Sequence, residues 1–389
     1  MFTSLALQNW KNFKDITADL SQRVFLIGPN ASGKSNLLDA FRFLHDISKV
    51  GGGFQHAVNQ RGGVSKIRCL AARTKSDIVL DASLKLGETA WRYRISFGQK
   101  NIGQASPYPG QPNVPVLLAE KIWRNNKLIL DRPTEDDRDD PFRMTQTALE
   151  QINVNKEFRE VAEFFSTVRY MHVVPQLIRE PDRSVGRSND PFGGDFLDQL
   201  AKTPIKTRES RLQRIQNALK IIVPQLKELK FELDVRTGVP HLKGRYEHWR
   251  PNAGWQSEEQ FSDGTLRLIG LLWSLQDGKG PILLEEPELS LHSRVIKFLP
   301  QAMLTVFRKS HRQVIVSTHS KELVSDEGIM PEEILTLEPS QEGTKVQAGS
   351  KDPVMMAIAE AGGSVADIAF AKTNPVRSSI DQLDLMDLL

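Results

Sequence analysis

Four short segments of this 389-residue sequence carry side chains whose type and spacing can do chemistry. The first is Gly28-Pro29-Asn30-Ala31-Ser32-Gly33-Lys34-Ser35, which fits the pattern G-x-x-x-x-G-K-[ST]. A glycine-rich loop of this kind lets backbone N–H groups curl round phosphate oxygens. A helix starting near Lys34 adds the partial positive charge of its N-terminus. Lys34 supplies a point charge for the terminal phosphates of a nucleotide, and the Ser35 hydroxyl can ligate Mg²⁺. From average composition, a chance match in a chain of this length is on the order of one in a hundred.

The second segment is Ile282-Leu-Leu-Glu285-Glu286-Pro-Glu288. A short apolar strand ending in carboxylates brings those acids to the rim of a parallel sheet, where α/β ligands bind. Glu285 is expected to hold Mg²⁺, and Glu286 to orient or deprotonate an attacking water. A Glu-Glu pair alone is more often a solvated helix start; the phosphate loop reverses that preference. The third segment is Ser317-Thr318-His319-Ser320 after Val314-Ile-Val316, which sets His319 at a strand end within reach of the γ-phosphate or the water. The fourth is Phe261-Ser262-Asp263-Gly264-Thr265, where Ser262 and the N–H groups near Gly264 open an apolar helix. An ordinary N-cap explains that pattern too. One chain has one nucleotide to cradle, so this loop is expected to cap the γ-phosphate bound by a second copy.

The elements that must position these groups read as follows. Residues 2–8 and 22–28 form two strands round a polar turn. A helix follows from Ser35, with Leu37, Leu38, Phe41 and Leu44 on one face. Residues 77–131 are β-structure: Trp91, Tyr93, Ile95 and Phe97 alternate with polar residues, and Asn125-Asn126 makes a hairpin turn. The acidic stretch 131–142 reads as an exposed loop. Residues 145–170 and 205–223 read as helices, and 229–245 returns to alternation with Phe231, Leu233 and Val235. The first motif opens the chain and the other three close it, so the middle is an insertion within one nucleotide-binding head. We expect a discontinuous head over 1–75 and 255–345, inserted β-rich and helical lobes over 76–254, and a C-terminal helix with an acidic tail over 346–389.

Bulk composition narrows the class. Apolar residues make up 39% and charged residues 25%, as in a packed soluble protein. A net charge of +3 is weakly compatible with a nucleic-acid partner and does not argue for one. A single cysteine, Cys69, excludes an internal disulfide framework or a cysteine metal site. No secretory signal and no membrane-spanning run is legible, so a cytoplasmic location is expected.

These motifs, in this order, resemble the ABC-type ATPases and, within them, the SMC/RecF/OLD branch. GPNASGKSN, which adds Asn36 to the loop, is similar to that branch's Walker A; FSDGT resembles its signature loop; ILLEEPELSLH resembles Walker B with the D-loop; STHS resembles the switch histidine. LALQNWKNFKD is similar to its first strand. Glu285 departs from the pattern, which usually has Asp, and the longer carboxylate can push the metal contact through water. Gln60 is the candidate for the Q-loop glutamine. The resemblance implies an α/β P-loop NTPase head of the ABC/RecF type, with a mixed sheet, a β-rich N-terminal lobe and a helical/β insertion. It also implies ATP and Mg²⁺ as cofactors, and two subunits facing head to tail round two ATPs.

What such a switch controls is less legible. The 205–223 segment, bracketed by Pro204 and Pro224, is too short for an SMC-like arm, and no nuclease domain follows His319. A partner effector such as a nuclease or toxin, in anti-phage defence, is the first reading. A RecF-like DNA-binding ATPase in repair is the second, and a transporter motor the third. Arg208, Arg211 and Arg214 recur at helical spacing and could meet phosphates, although a solvated helix face is the commoner explanation.

Overall fold

Short runs of β-branched and aliphatic residues, each bounded by polar or Gly-containing turns, produce the strands that frame this molecule. In the computed structural model, residues 1–73, 77–101, 113–183, 190–250 and 254–373 are described. A six-stranded antiparallel sheet has the order β2-β1-β4-β5-β6-β7. Its strands are β1 (Phe2–Trp10), β2 (Phe13–Asp19), β4 (Ile78–Leu86), β5 (Thr89–Asn101), β6 (Asn113–Arg124) and β7 (Lys127–Arg132). Trp91, Tyr93, Ile95 and Phe97 on β5 are all buried, as their alternation requires. Asn125 and Asn126 both have positive φ, the backbone of a tight hairpin turn.

The second sheet carries the motifs. Its order is β15-β14-β3-β13-β12-β8. These are β3 (Arg23–Ile27), β8 (Arg169–Met171), β12 (Ile282–Glu285), β13 (Val314–Thr318), β14 (Ile334–Glu338) and β15 (Lys345–Ala348). All neighbours are parallel except β14 and β15. The inner strands β3, β12 and β13 are buried nearly throughout because both faces are covered. Val24, Leu26, Leu283 and Ile315 face one core, shared with the first sheet, α1 (Lys34–Ser48) and α3 (Arg159–Ser166). Phe25, Ile27, Leu284 and Val316 face the other core. That core is shared with α5 (Ile205–Ile222), α6 (Asp263–Gln276) and the C-terminal helices α8 (Pro353–Glu360) and α9 (Ala366–Thr373). The helices α2 (Phe54–Asn59), α4 (Pro175–Arg179) and α7 (Leu299–Ser310) are among the others packed around these sheets. A small sheet of β9 (Leu226–Leu233), β10 (Pro240–Tyr246) and β11 (Trp255–Ser257) packs beside α5.

Several sequence expectations need correcting. Between the two expected N-terminal strands lies a third, β2, whose Phe13, Ile16 and Ala18 are buried. Its apolar spacing is irregular, so it reads as turn. The stretch 131–142 is not a bare loop: Asp137 lies in a short helix, Glu135–Asp139, and is buried against Arg132. Residues 145–170 are mostly not helical; α3 covers eight of them, and Arg169–Met171 is a strand held by parallel pairing with β12. Phe231 lies on the core side of β9, but Leu233 and Val235 run past the core and are exposed. The first sheet joins strands from either side of the expected boundary at residue 75. The expected acidic tail falls largely on 374–389, outside the described residues.

Candidate functional site

The phosphate loop follows β3 directly, and the chain conformation explains its residue types. Ala31 (φ 62°) and Gly33 (φ 96°) take the left-handed backbone that turns successive N–H groups to one side. A Cβ on Gly28 would lie 2.5 Å from Ser32 Oγ and 2.7 Å from the Leu337 carbonyl oxygen. One on Gly33 would lie 2.0 Å from Asn12 Nδ2. Gly33 caps α1 without any side-chain hydrogen bond, so the first-turn N–H groups are not taken by a cap. Lys34 Nζ donates to the carbonyls of Gly28 (2.8 Å) and Pro29 (3.0 Å). Burial lowers the Lys34 ammonium to about 8, against the opposing pull of Glu286, Glu285 and Glu288.

Four parallel strands, β3, β13, β12 and β8, bring their C-terminal ends to the same edge. The Ser35 hydroxyl donates to Glu285 Oε1, and the Tyr170 hydroxyl donates to Glu285 Oε2. His172 Nδ1 lies 3.1 Å from the Glu285 carbonyl oxygen. Glu286 has φ 44°, a strained backbone for a non-glycine residue. Its Oε1 meets His319 Nε2 at 3.1 Å. Burial and the Lys34 charge hold His319 below its ordinary range despite Glu286, so at neutral pH the ring is a neutral donor. Glu288 accepts from Thr318 Oγ1 (2.5 Å) and the His319 amide (3.0 Å). Its second oxygen, Oε2, is buried without a partner, and burial raises its affinity for a proton. The segments around Gly28–Ser35, Glu285, Glu286 and His319 are therefore brought together.

Ser262 is the N-cap of α6, its Oγ accepting from the Thr265 amide at 3.2 Å. Asp263 pairs with Arg179 at 2.6 Å. A Cβ on Gly264 would sit 2.7 Å from the Ser290 carbonyl oxygen, so this loop packs on the segment after the paired acids. Among the described residues, no hydrogen bond or ion pair joins 262–265 to 28–36.

Sequence reading missed several contributors. Asn12 donates to the Ser32 carbonyl (2.9 Å) and Thr344 Oγ1 (2.7 Å) and accepts from Asn36 Nδ2 (2.8 Å). The Asn36 side chain thus braces the loop's base. Arg267, on α6, is 8% exposed, and among the described residues its guanidinium forms no hydrogen bond or ion pair. Gln60 is exposed at the end of α2 and bonds to neither Ser35 nor Glu285. The loop after β8, which begins at His172, reaches Glu285 instead. The arginine stripe on α5 is largely engaged: Arg211 pairs with Asp277 (2.8 Å) over Trp273, and Arg208 lies over Phe231 while donating to the Leu200 carbonyl. Only long-range contacts identify these residues, and no local spacing signals them.

The hard oxygen donors of Ser35 and Glu285 suit Mg²⁺. No group of three or more His, Cys, Asp or Glu side chains fit for a metal exists among the described residues. An ion here would complete its shell with nucleotide phosphates and water, as Mg²⁺ commonly does.

Comparisons with known proteins agree on the fold. Two solved SMC head domains align with this chain. One, bound to the C-winged helix domain of ScpA, has TM-score 0.56 at 13% identity, covering 89% of this chain and 97% of that one. The other has an extended coiled coil, is bound to the C-terminal domain of ScpA derived from Pyrococcus furiosus, and has TM-score 0.51 at 11% identity, covering 92% and 99%. At those identities they show that the chain has the α/β fold of an SMC head and nothing finer. The DNA replication and repair protein RecF of Lactobacillus gasseri is 28% identical over 221 residues. That stretch is 54% of this chain and 52% of RecF, so the chain spans about half of that relative's length. Residues 23–325 match the family described as "AAA domain, putative AbiEii toxin, Type IV TA system", and the chain belongs to that family of P-loop ATPases.

Proposed function

We propose that this protein is an ATP-hydrolysing switch that closes as a dimer round ATP and controls a partner protein. The reading rests on one observation above the rest. The phosphate loop from one end of the chain meets Glu285, Glu286 and His319 from the other at a single sheet edge. Gly28–Ser35 cradles the phosphates, with Lys34 leaving its two carbonyls for the β- and γ-oxygens. Ser35 and Glu285 would hold Mg²⁺, which would supply charge neutralisation at the phosphates. Glu286 takes the proton of the attacking water, and the neutral His319 ring holds that carboxylate in place. The caps formed by Ser262 and Gly264 serve the nucleotide of a second copy; among the described residues no hydrogen bond or ion pair ties them to their own chain's phosphate loop. The contact then closes by occurring twice about a two-fold axis.

The test is Glu286→Gln, purified with ATP and Mg²⁺ and weighed by light scattering. We expect a stable dimer that does not turn over, carrying a second protein when isolated from its host. A mass unchanged by ATP would sink the composite site.

A second reading draws on the similarity to RecF: a cytoplasmic DNA-binding ATPase acting in repair. Duplex DNA that stimulates turnover, with no protein retained, would favour it. The α5 arginines are poor carriers of that reading, since Arg208 and Arg211 are already committed within the chain. Among the described residues no helix is long and apolar enough to cross a membrane.

A further inference from the structure

The residue after the third aliphatic position of β12 is glutamate, one methylene longer than aspartate. A longer carboxylate has an extra rotatable bond, and holding it in one place opposes side-chain entropy. Something must fix it if it is to serve a cation that tolerates little geometric error. Serine at the start of α1 reaches one oxygen only.

We propose that Tyr170 is a positioning residue of the Mg²⁺ site, its hydroxyl locking the second oxygen of Glu285 so that the first faces Ser35. The proposal rests on the nucleotide reading given above. Tyr170 sits on β8, opposite Leu283 in a parallel register, and its side chain reaches up the neighbouring strand to Glu285. Its ring is covered by the Arg42 guanidinium, 4.1 Å from the ring centroid, which comes from α1 two turns beyond Ser35. The loop after β8 adds His172 against the Glu285 backbone. Three elements therefore meet at one carboxylate: α1, β8 and β12. The phenol O–H donates to a carboxylate that must stay an acceptor. A tyrosine that merely satisfies a buried acid would contribute to stability alone. One that positions a ligand must alter metal affinity, since losing an outer hydrogen bond to a ligating group commonly lowers it about 10–100-fold.

The experiment follows binding of a fluorescent, slowly hydrolysed ATP analogue to the full chain while Mg²⁺ is titrated, and again in excess chelator. For Tyr170→Phe we expect the Mg²⁺ half-saturation to rise about tenfold or more, with affinity in chelator changed less than about twofold. Arg42→Gln, a milder change, should shift it in the same direction by about two- to threefold. Combined with Glu285→Asp, whose carboxylate no longer reaches the phenol, Tyr170→Phe should have little further effect. An unchanged Mg²⁺ half-saturation in both variants overturns the proposal, even if melting temperatures fall. So does an equal shift in the Glu285→Asp background. Binding by the unmutated protein that ignores Mg²⁺ would instead refute the parent assignment of Ser35 and Glu285, and shows before any variant is made.

Discussion

Two clusters of buried charge in this protein are built in opposite ways. In the antiparallel sheet, Arg132 is 5% exposed and uses all five of its N–H donors. They go to Glu120, to both oxygens of Asp137, and to the carbonyls of Arg143 and Gln146. Glu120, fully buried, also accepts from the Tyr93 hydroxyl and the Ala148 and Leu149 amides. At the nucleotide edge, Arg267 has no partner among the described residues, Glu288 Oε2 is unpaired, and the Ser32 and Ser317 hydroxyls are orphaned. Lys34 rests on backbone carbonyls. A saturated network holds a loop to a sheet. An unsaturated one, beside a glycine loop, is chemistry left open for a ligand or a conformational change.

The contrast can be broken by measurement. The largest effect expected is in the saturated cluster: Arg132→Leu strands two carboxylates and should lower stability by about 3–5 kcal/mol in urea titrations. A loss under about 1 kcal/mol would mean that the network holds little. At the open cluster, Glu286→Gln should lower ATP turnover about a hundredfold, measured as phosphate release, while nucleotide affinity stays within about twofold. Retained turnover would remove Glu286 from the chemistry.

Next in size is a pH effect of two signs. Lys34 titrates at about 8 in the nucleotide-free protein. On the proposed reading the charged form of Lys34 binds phosphate, so ATP affinity should be level below that pH and fall by up to about tenfold per unit above it. The same depressed value makes the unfolded chain bind more protons between about 8 and 10.4, so stability without nucleotide should rise across that window. Parallel trends in binding and stability would exclude Lys34 as the titrating group. Smallest is Arg267→Met, which removes a cation that makes no hydrogen bond or ion pair among the described residues. Stability should change by less than about 1 kcal/mol or rise. A loss matching that of Arg132→Leu would erase the distinction between the clusters.

Much of the site was legible before the fold because its signals are local. A glycine loop between an apolar strand and a helix, two strands ending in acids or histidine, and a serine before an apolar helix each lie within about ten residues. The same locality made α1, β5 and the Asn125-Asn126 turn readable. What escaped depends on distant partners. Arg169-Tyr170-Met171 is too short to show a period and is a strand only because β12 lies beside it. The acidic run near Asp137 looked solvated because Arg132's burial is set by the sheet. The arginines of α5 looked free because Asp277, Trp273 and Phe231 come from elsewhere. Gln60 has the type and neighbourhood of such a glutamine but is exposed at the end of α2, while His172, more than a hundred residues later, lies against the Glu285 backbone.

The position of β3 bears on how the protein is made. Residues 23–27 leave the ribosome long before their neighbours on both sides, Val314–Thr318 and Ile334–Thr336. At about 5–20 residues per second, the wait for those neighbours is on the order of 15–60 s. Meanwhile the antiparallel sheet, whose strands all lie before residue 133, can form from nearby hairpins. Until those neighbours are made, the nascent chain carries an unpaired Val-Phe-Leu-Ile edge, a natural client for a holding chaperone. The site at this sheet edge is likewise incomplete until Val314–Thr318 has been made, so a product stalled before it lacks half of the site.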